Sequence, residues 1–206
     1  VFVSATETFS RKNLNRTVAE SLTMTEEVIT KARRAGGGRI SVRGYVSMCF
    51  GDPREGETAI EDVVRVGSRL LEMGCDELSP GDTIGVGTPG HVEQLIAAFG
   101  EAGHPPSRLA VHFHDTYGQA LANTLTALRA GVSTVDSSAG GLGGCPYAKS
   151  ATGNLATEDL VWPLHGLGVE TGVDLDALVR TSLWMADHLG RPSPSRVVRA
   201  LAADPV

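Results

Sequence analysis

Long apolar runs are missing from this chain: no uncharged apolar stretch approaches the about 18 residues a bilayer-spanning helix needs, so no membrane segment is expected among its 206 residues. A cationic excess is missing too. The formal charge is −6 with acids and bases interspersed, so no basic stripe exists to follow a phosphate backbone, and nucleic acid is not an expected partner. Cysteine is sparse: Cys49, Cys75 and Cys145 have no metal-finger spacing, and their odd number argues for reduced thiols in a reducing compartment. Cys49 and Cys75 read as buried thiols. The opening Val1-Phe2-Val3-Ser4 has neither the charged n-region of a signal peptide nor an initiator Met, which predicts a start inside a longer protein. What is present suffices for one domain with a sizeable core.

A rhythm of short β-branched or aromatic runs, glycine-bearing turns and helix-period stretches repeats along the chain. Strands are predicted at Val1 to Ser4, Ile40 to Val46, Glu77-Leu78, Leu109 to Phe113 and Val132 to Asp136. Helices are predicted at about Arg16 to Ala35, Glu57 to Met73, Pro89 to Ala102, Gln119 to Ala130, Leu155 to His165 and Leu175 to Leu189. Only a short tail is expected after Pro192. Such βα alternation implies a parallel sheet, either doubly wound or part of a (β/α)₈ barrel. Polar residues follow the strands in turn: Glu7 and Asn13, Ser47, Asp82-Thr83, His112 to Asp115, then Asp136-Ser137. Strand ends loaded in succession favour a barrel rim over a single switch point. The expected fold is α/β, an incomplete (β/α)₈ TIM barrel of about five C-terminal strand–helix units plus C-terminal helices.

The chemistry centres on Val111-His112-Phe113-His114-Asp115. In a strand, alternation sends His112 and His114 to one face and Val111 and Phe113 to the other. Two imidazoles then converge, as they commonly do on a divalent metal. About one strand–helix unit later, Gly140-Gly141-Leu142-Gly143-Gly144-Cys145-Pro146 supplies a pliable loop with a lone thiol, followed by Asn154. The residues alone leave bland readings open. Asn154 could cap a helix starting at Leu155, Asp82-Thr83 between Gly81 and Gly85 could be a turn, and Glu158 and Asp159 suit a first helical turn. Lys149 could be a surface residue.

Four runs carry a resemblance: SVRGYVSMCFG from Ser41, SPGDTIGVGTPG from Ser79, LAVHFHDTYGQALA from Leu109 and VDSSAGGLGGCPYAKSATGNLATED from Val135. Together they resemble the hydroxymethylglutaryl-CoA lyase family over nearly the whole chain. His-x-His-Asp is shared with isopropylmalate and homocitrate synthases and marks only the superfamily; Gly-Leu-Gly-Gly-Cys-Pro-Tyr-Ala is more specific and points to the lyase. The resemblance implies Mg²⁺- or Mn²⁺-dependent retro-Claisen cleavage of 3-hydroxy-3-methylglutaryl-CoA to acetoacetate and acetyl-CoA, the reaction of leucine degradation and ketone-body formation. It implies His112, His114 and Asn154 as metal ligands, with His112 also catalytic, and Cys145 as the catalytic thiol. Asp82, Glu158 and Asp159 match functional acids. Arg43, Thr83, Lys149, Gly143 and Gly144 fall against the substrate, with Arg43 and Lys149 as cations for the coenzyme A phosphates.

The family's pattern begins earlier, with a strand ending in an Arg-Asp pair whose Asp completes the metal site. Val1 aligns with roughly the fourth strand, so the resemblance makes residues 1–206 the C-terminal portion of one catalytic barrel domain, with three strand–helix units absent. Three protein ligands at most, weakened metal binding and little activity are then expected of these residues alone. The family also implies a homodimer, in the cytoplasm of a bacterium or the mitochondrial matrix of a eukaryote. Two other functions stand beside the lyase: a related acyl-CoA or 2-oxo acid synthase or aldolase, and a non-catalytic fragment.

Overall fold

A computed structural model describes residues 1–37, 39–144 and 153–203. Its strands are β1 (Phe2–Ser4), β2 (Arg43–Ser47), β3 (Glu77–Asp82), β4 (Ala110–Phe113) and β5 (Thr134–Asp136). All neighbours pair in parallel, in the order β1-β2-β3-β4-β5. A doubly wound sheet reverses its strand order at a switch point. None occurs among the described residues, so the sheet is an arc of a (β/α) barrel.

The helices are α1 (Glu7–Leu14), α2 (Val18–Gly36), α3 (Ile60–Glu72), α4 (Pro89–Glu101), α5 (Ala120–Arg129), α6 (Thr157–Gly166), α7 (Leu175–Leu189) and α8 (Arg196–Ala203). Local chemistry sets several ends. Thr17 and Glu20 form a capping box that starts α2, and Asp174 caps α7 by accepting from the Ala177 amide at 2.9 Å. Val46, Leu78, Val111 and Phe113 turn outward and bury themselves against Val63, Leu70, Leu95 and Phe99 of the helices. The opposite strand face carries Arg43, Tyr45, Glu77, Ser79, His112 and Asp136. That polar face positions the site.

Helix and sheet approach closely at Gly67, on the buried stripe of α3 with Val63, Val66, Leu70 and Leu71. A Cβ there would lie 2.7 Å from Leu78 Cδ2 and 2.8 Å from Phe99 Cε1, both on fully buried side chains. Alanine gains about 1 kcal/mol of helix propensity but overpacks a filled core at about 1–3 kcal/mol. Gly67→Ala is therefore expected to lower the unfolding free energy by about 1 kcal/mol in urea melts. An increase would show that α3 stands off the sheet.

Three elements depart from the sequence reading. Helix α1 was not anticipated, because in ETFSRKNL only Phe9 and Ser10 are buried and no apolar period exists. Glu7 and Asn13 therefore lie in a helix, not on the rim, and Glu7 Oε1 accepts from the Val18 amide at 3.2 Å. Strand β3 runs on through Pro80 to Asp82. Proline has no N–H to give, and the β3–β4 ladder is interrupted there: Leu78 bridges Leu109, then pairing resumes at Gly81 with His112. The tail after Pro192 contains α8, which packs on α6 and α7.

Candidate metal centre

β4 delivers His112 and, one residue past its end, His114; their ring centroids are 5.4 Å apart. The His114 amide donates to Asp82 O at 3.3 Å, which ties the end of β4 to β3. Asn154 arrives from far along the chain because residues 153–155 run antiparallel to the end of β4. Asp115 N donates to Gly153 O at 3.3 Å and Leu155 N to Phe113 O at 3.2 Å, and His114 bridges Asn154. Asn154 Nδ2 donates to Leu142 O at 2.9 Å. Its side-chain carbonyl is thereby turned away from the loop.

His114 is 5% exposed, and burial, reinforced by neighbouring His112, pushes its pKa down to about 4. It is neutral near pH 7, as a ligand imidazole must be. Among the described residues its Nδ1 is buried with no hydrogen-bond partner. An orphaned buried ring nitrogen, on an imidazole that neighbours His112 and hydrogen-bonds the Asn154 side chain, fits a divalent cation. His112, His114 and Asn154 are the residues that would hold it.

Beneath His112 lies a charged cluster. Asp136 Oδ2 is 3.5 Å from His112 Nδ1, Asp136 Oδ1 accepts from Arg43 Nη1 at 2.9 Å, and Ser79 Oγ donates to Oδ2 at 3.2 Å. Arg43 Nε also lies 2.5 Å from Glu77 Oε2. Burial alone would raise the Asp136 pKa, but His112, Arg43 and Ser79 outweigh it and hold the carboxyl below its usual range.

With this geometry in view, comparison with known proteins is decisive. A family model described as HMGL-like matches residues 1–184. The chain belongs to the HMGL-like family. The mitochondrial hydroxymethylglutaryl-CoA lyase of Bos taurus is 52% identical over 200 residues, covering 97% of this chain and 60% of that protein. The cytoplasmic 3-hydroxy-3-methylglutaryl-CoA lyase of Danio rerio is 51% identical over 201 residues, covering 97% and 58%. The crystal structure of the Bacillus subtilis HMG-CoA lyase superposes with a TM-score of 0.92 at 44% identity, covering 98% of this chain and 66% of that one. This member of the HMGL-like family thus spans about three fifths of the length of the curated relatives it matches.

The other sequence-predicted site residues land as follows. Arg43, read as a cation for coenzyme A phosphates, has its guanidinium paired with Glu77 and Asp136 on the sheet face. Asp82 and Thr83 form the turn that was the alternative reading. Asp82 accepts from Val86 N at 3.0 Å and Gly87 N at 2.9 Å, and Thr83 Oγ1 accepts from Met48 N at 2.8 Å. Asn154 does not cap α6, whose N-cap is Ala156. Glu158 is fully buried and accepts from the Gly140 amide at 2.9 Å and from Ser182 Oγ. Asp159 accepts from Ser195 Oγ at 2.6 Å and from the Arg196 and Val197 amides, capping α8. Among the described residues, none of these bonds of the two acids goes to the histidines. Gly143, at φ +98°, packs on the Asn154 amide, where a Cβ would lie 2.7 Å from Nδ2, and Gly144 follows it on the exposed loop. Cys145 and Lys149 lie outside the described residues. Sequence reasoning placed Asp136 at a strand end without tying it to His112, and passed over Glu77, Ser79 and Tyr45; the β4–β5 register, which places Asp136 opposite His112, is the signal that finds the link.

Two buried titrating groups pull stability in opposite directions. Burial raises the Asp82 pKa to about 6, so the folded state holds that proton more tightly than the unfolded state, and stability falls as pH rises from about 4 to 6. His114, lowered to about 4, binds its proton less tightly when folded, and stability rises over the same window. The wild-type profile there is expected to be nearly flat. Asp82→Asn removes the falling limb, so the variant's unfolding free energy should climb by up to about 3 kcal/mol from pH 4 to 6.5. Urea melts at a series of pH values check this, and a flat variant profile refutes it.

Proposed function

We propose that this chain carries the metal-binding portion of a hydroxymethylglutaryl-CoA lyase, which cleaves 3-hydroxy-3-methylglutaryl-CoA to acetoacetate and acetyl-CoA. The observation that carries the reading is the convergence of a neutral His114 bearing an orphaned Nδ1, His112 and the Asn154 carbonyl at the end of one barrel strand. Mg²⁺ or Mn²⁺ bound there would supply Lewis-acid charge to the substrate's tertiary hydroxyl and a carboxylate oxygen, lowering the hydroxyl pKa.

The chain's own residues hold and orient. His114 and Asn154 are tied together by backbone pairing, so they present their donor atoms without rearrangement. His112 stands at the reacting centre. Cys145 is the thiol this reading assigns to protonating the departing acetyl-CoA enolate, and a thiol exchanges protons readily near neutral pH. Lys149 is the cation this reading assigns to the coenzyme A phosphates, with Arg43, paired to Glu77 and Asp136, against the substrate. Glu158 and Asp159 act at one remove, by holding the Gly140 turn and α8.

Among the described residues no helix is long and apolar enough to cross a membrane. Relatives include forms named mitochondrial and cytoplasmic. The proposal places this protein in whichever of the two its host provides, as a homodimer.

Acetoacetate release from 3-hydroxy-3-methylglutaryl-CoA tests the function, with Mg²⁺ or Mn²⁺ and with chelator. Turnover is expected only from a version extended N-terminally to the length of the relatives, and Cys145→Ala is expected to abolish it. An inert extended version overturns the lyase reading.

A further inference from the structure

His112 has two ring nitrogens, and only an unprotonated one can bind a cation. Its Nδ1 lies 3.5 Å from Asp136 Oδ2, a long contact, but one with a carboxylate that can only accept. The opposite tautomer would set a nitrogen lone pair against a carboxylate oxygen. Asp136 is itself fixed from three sides: Arg43 Nη1 at 2.9 Å on Oδ1, Ser79 Oγ at 3.2 Å on Oδ2, and its place opposite His112 in the β4–β5 register. Arg43 is held in turn by Glu77 at 2.5 Å and by Tyr45 Oη at 3.3 Å. The Tyr45 ring meets His112 edge-on, at 6.4 Å between centroids and 87° between planes. Ring plane and protonated edge are therefore both specified by this cluster.

We propose that Asp136 is a positioning residue: it keeps the proton of His112 on Nδ1, so that Nε2 offers its lone pair to the cation, and Arg43 holds Asp136 in that orientation. This rests on the reading of His112 as a metal ligand. Carboxylate partners of ligand histidines fix tautomer and orientation, and their loss typically weakens metal binding about 10–100-fold. The arrangement also says what an amide in place of the carboxylate does. Arg43 donates only, so in Asp136→Asn the side-chain oxygen turns to Arg43 and the NH₂ group faces His112. That NH₂ donates to Nδ1 and drives the proton to Nε2.

Long-range ¹H–¹⁵N correlation spectra of the metal-free chain, at about pH 8 where an ordinary imidazole is neutral, read the tautomer directly. His112→Ala assigns the signals. The wild type is expected to show His112 protonated on Nδ1, and Asp136→Asn to show it protonated on Nε2. A wild-type Nε2–H tautomer overturns the proposal, and so does an Asp136→Asn spectrum unchanged from wild type. Mn²⁺ titration by calorimetry is the second arm, in which Asp136→Asn is expected to raise the dissociation constant about 10–100-fold. Equal affinities overturn the positioning role. Where neither this chain nor its N-terminally extended version binds Mn²⁺ and the tautomer is as expected, the metal reading is overturned instead, and the tautomer assignment stays in place.

Discussion

His114→Ala is expected to raise the dissociation constant for Mn²⁺ by more than about 100-fold, beyond what loss of an outer partner costs, and to eliminate cation-dependent cleavage in the extended protein. The imidazole is buried, neutral and, among the described residues, unpartnered at Nδ1, so its removal takes away one of the three ligands proposed for this chain. Stability should change much less. The cavity costs about 2 kcal/mol or more, while removal of a buried unsatisfied nitrogen returns about 1–3 kcal/mol. Calorimetric Mn²⁺ titration and urea melts on the same variant separate the two effects. Unchanged affinity with normal folding would move the metal centre away from β4.

Glu158→Ala is expected to cost about 3–5 kcal/mol, a large share of the 5–15 kcal/mol that holds a typical domain together. The carboxylate is fully buried and its donors, the Gly140 amide and the Ser182 hydroxyl, are lodged in the protein interior. Alanine leaves both without an acceptor, at about 1–3 kcal/mol each. Glu158→Gln keeps one acceptor oxygen, and the Ser182 hydroxyl can rotate to accept from the new NH₂, so about 1–2 kcal/mol is expected. Thermal melts should rank the variants wild type, Gln, Ala. A proton-transferring Glu158 predicts something else: Gln and Ala equally inactive, with Gln fully stable.

The contrast shows where the sequence was legible. β-α periodicity is a property of local apolar spacing, so the five strands, α2 to α7 and the outward Val111 and Phe113 were readable from it. The i, i+2 spacing of His112 and His114 on a strand likewise fixed a shared face. Helix α1 was not legible, because Phe9 is its one buried apolar side chain. β3 was read as ending before Pro80, although a strand can tolerate proline where its ladder is already broken. The offices of Arg43, Glu158 and Asp159 were hidden for another reason. Each is decided by a partner far away in sequence, Asp136 for Arg43, Gly140 and Ser182 for Glu158, Ser195 for Asp159, and no local pattern encodes such pairings.

The bridge between His114 and Asn154 also sets an order of events on the ribosome. Strands that pair with the next strand in sequence can dock as each emerges, so β1 to β4 need nothing downstream of themselves. The histidines then wait. At about 5–20 residues per second, they spend seconds in the nascent chain before Asn154 leaves the exit tunnel. Ser182 and Ser195, which fasten Glu158 and Asp159, follow later still. The proposed metal centre would consequently be a late product of synthesis, because neither histidine can meet Asn154 until the segment that carries it has left the ribosome.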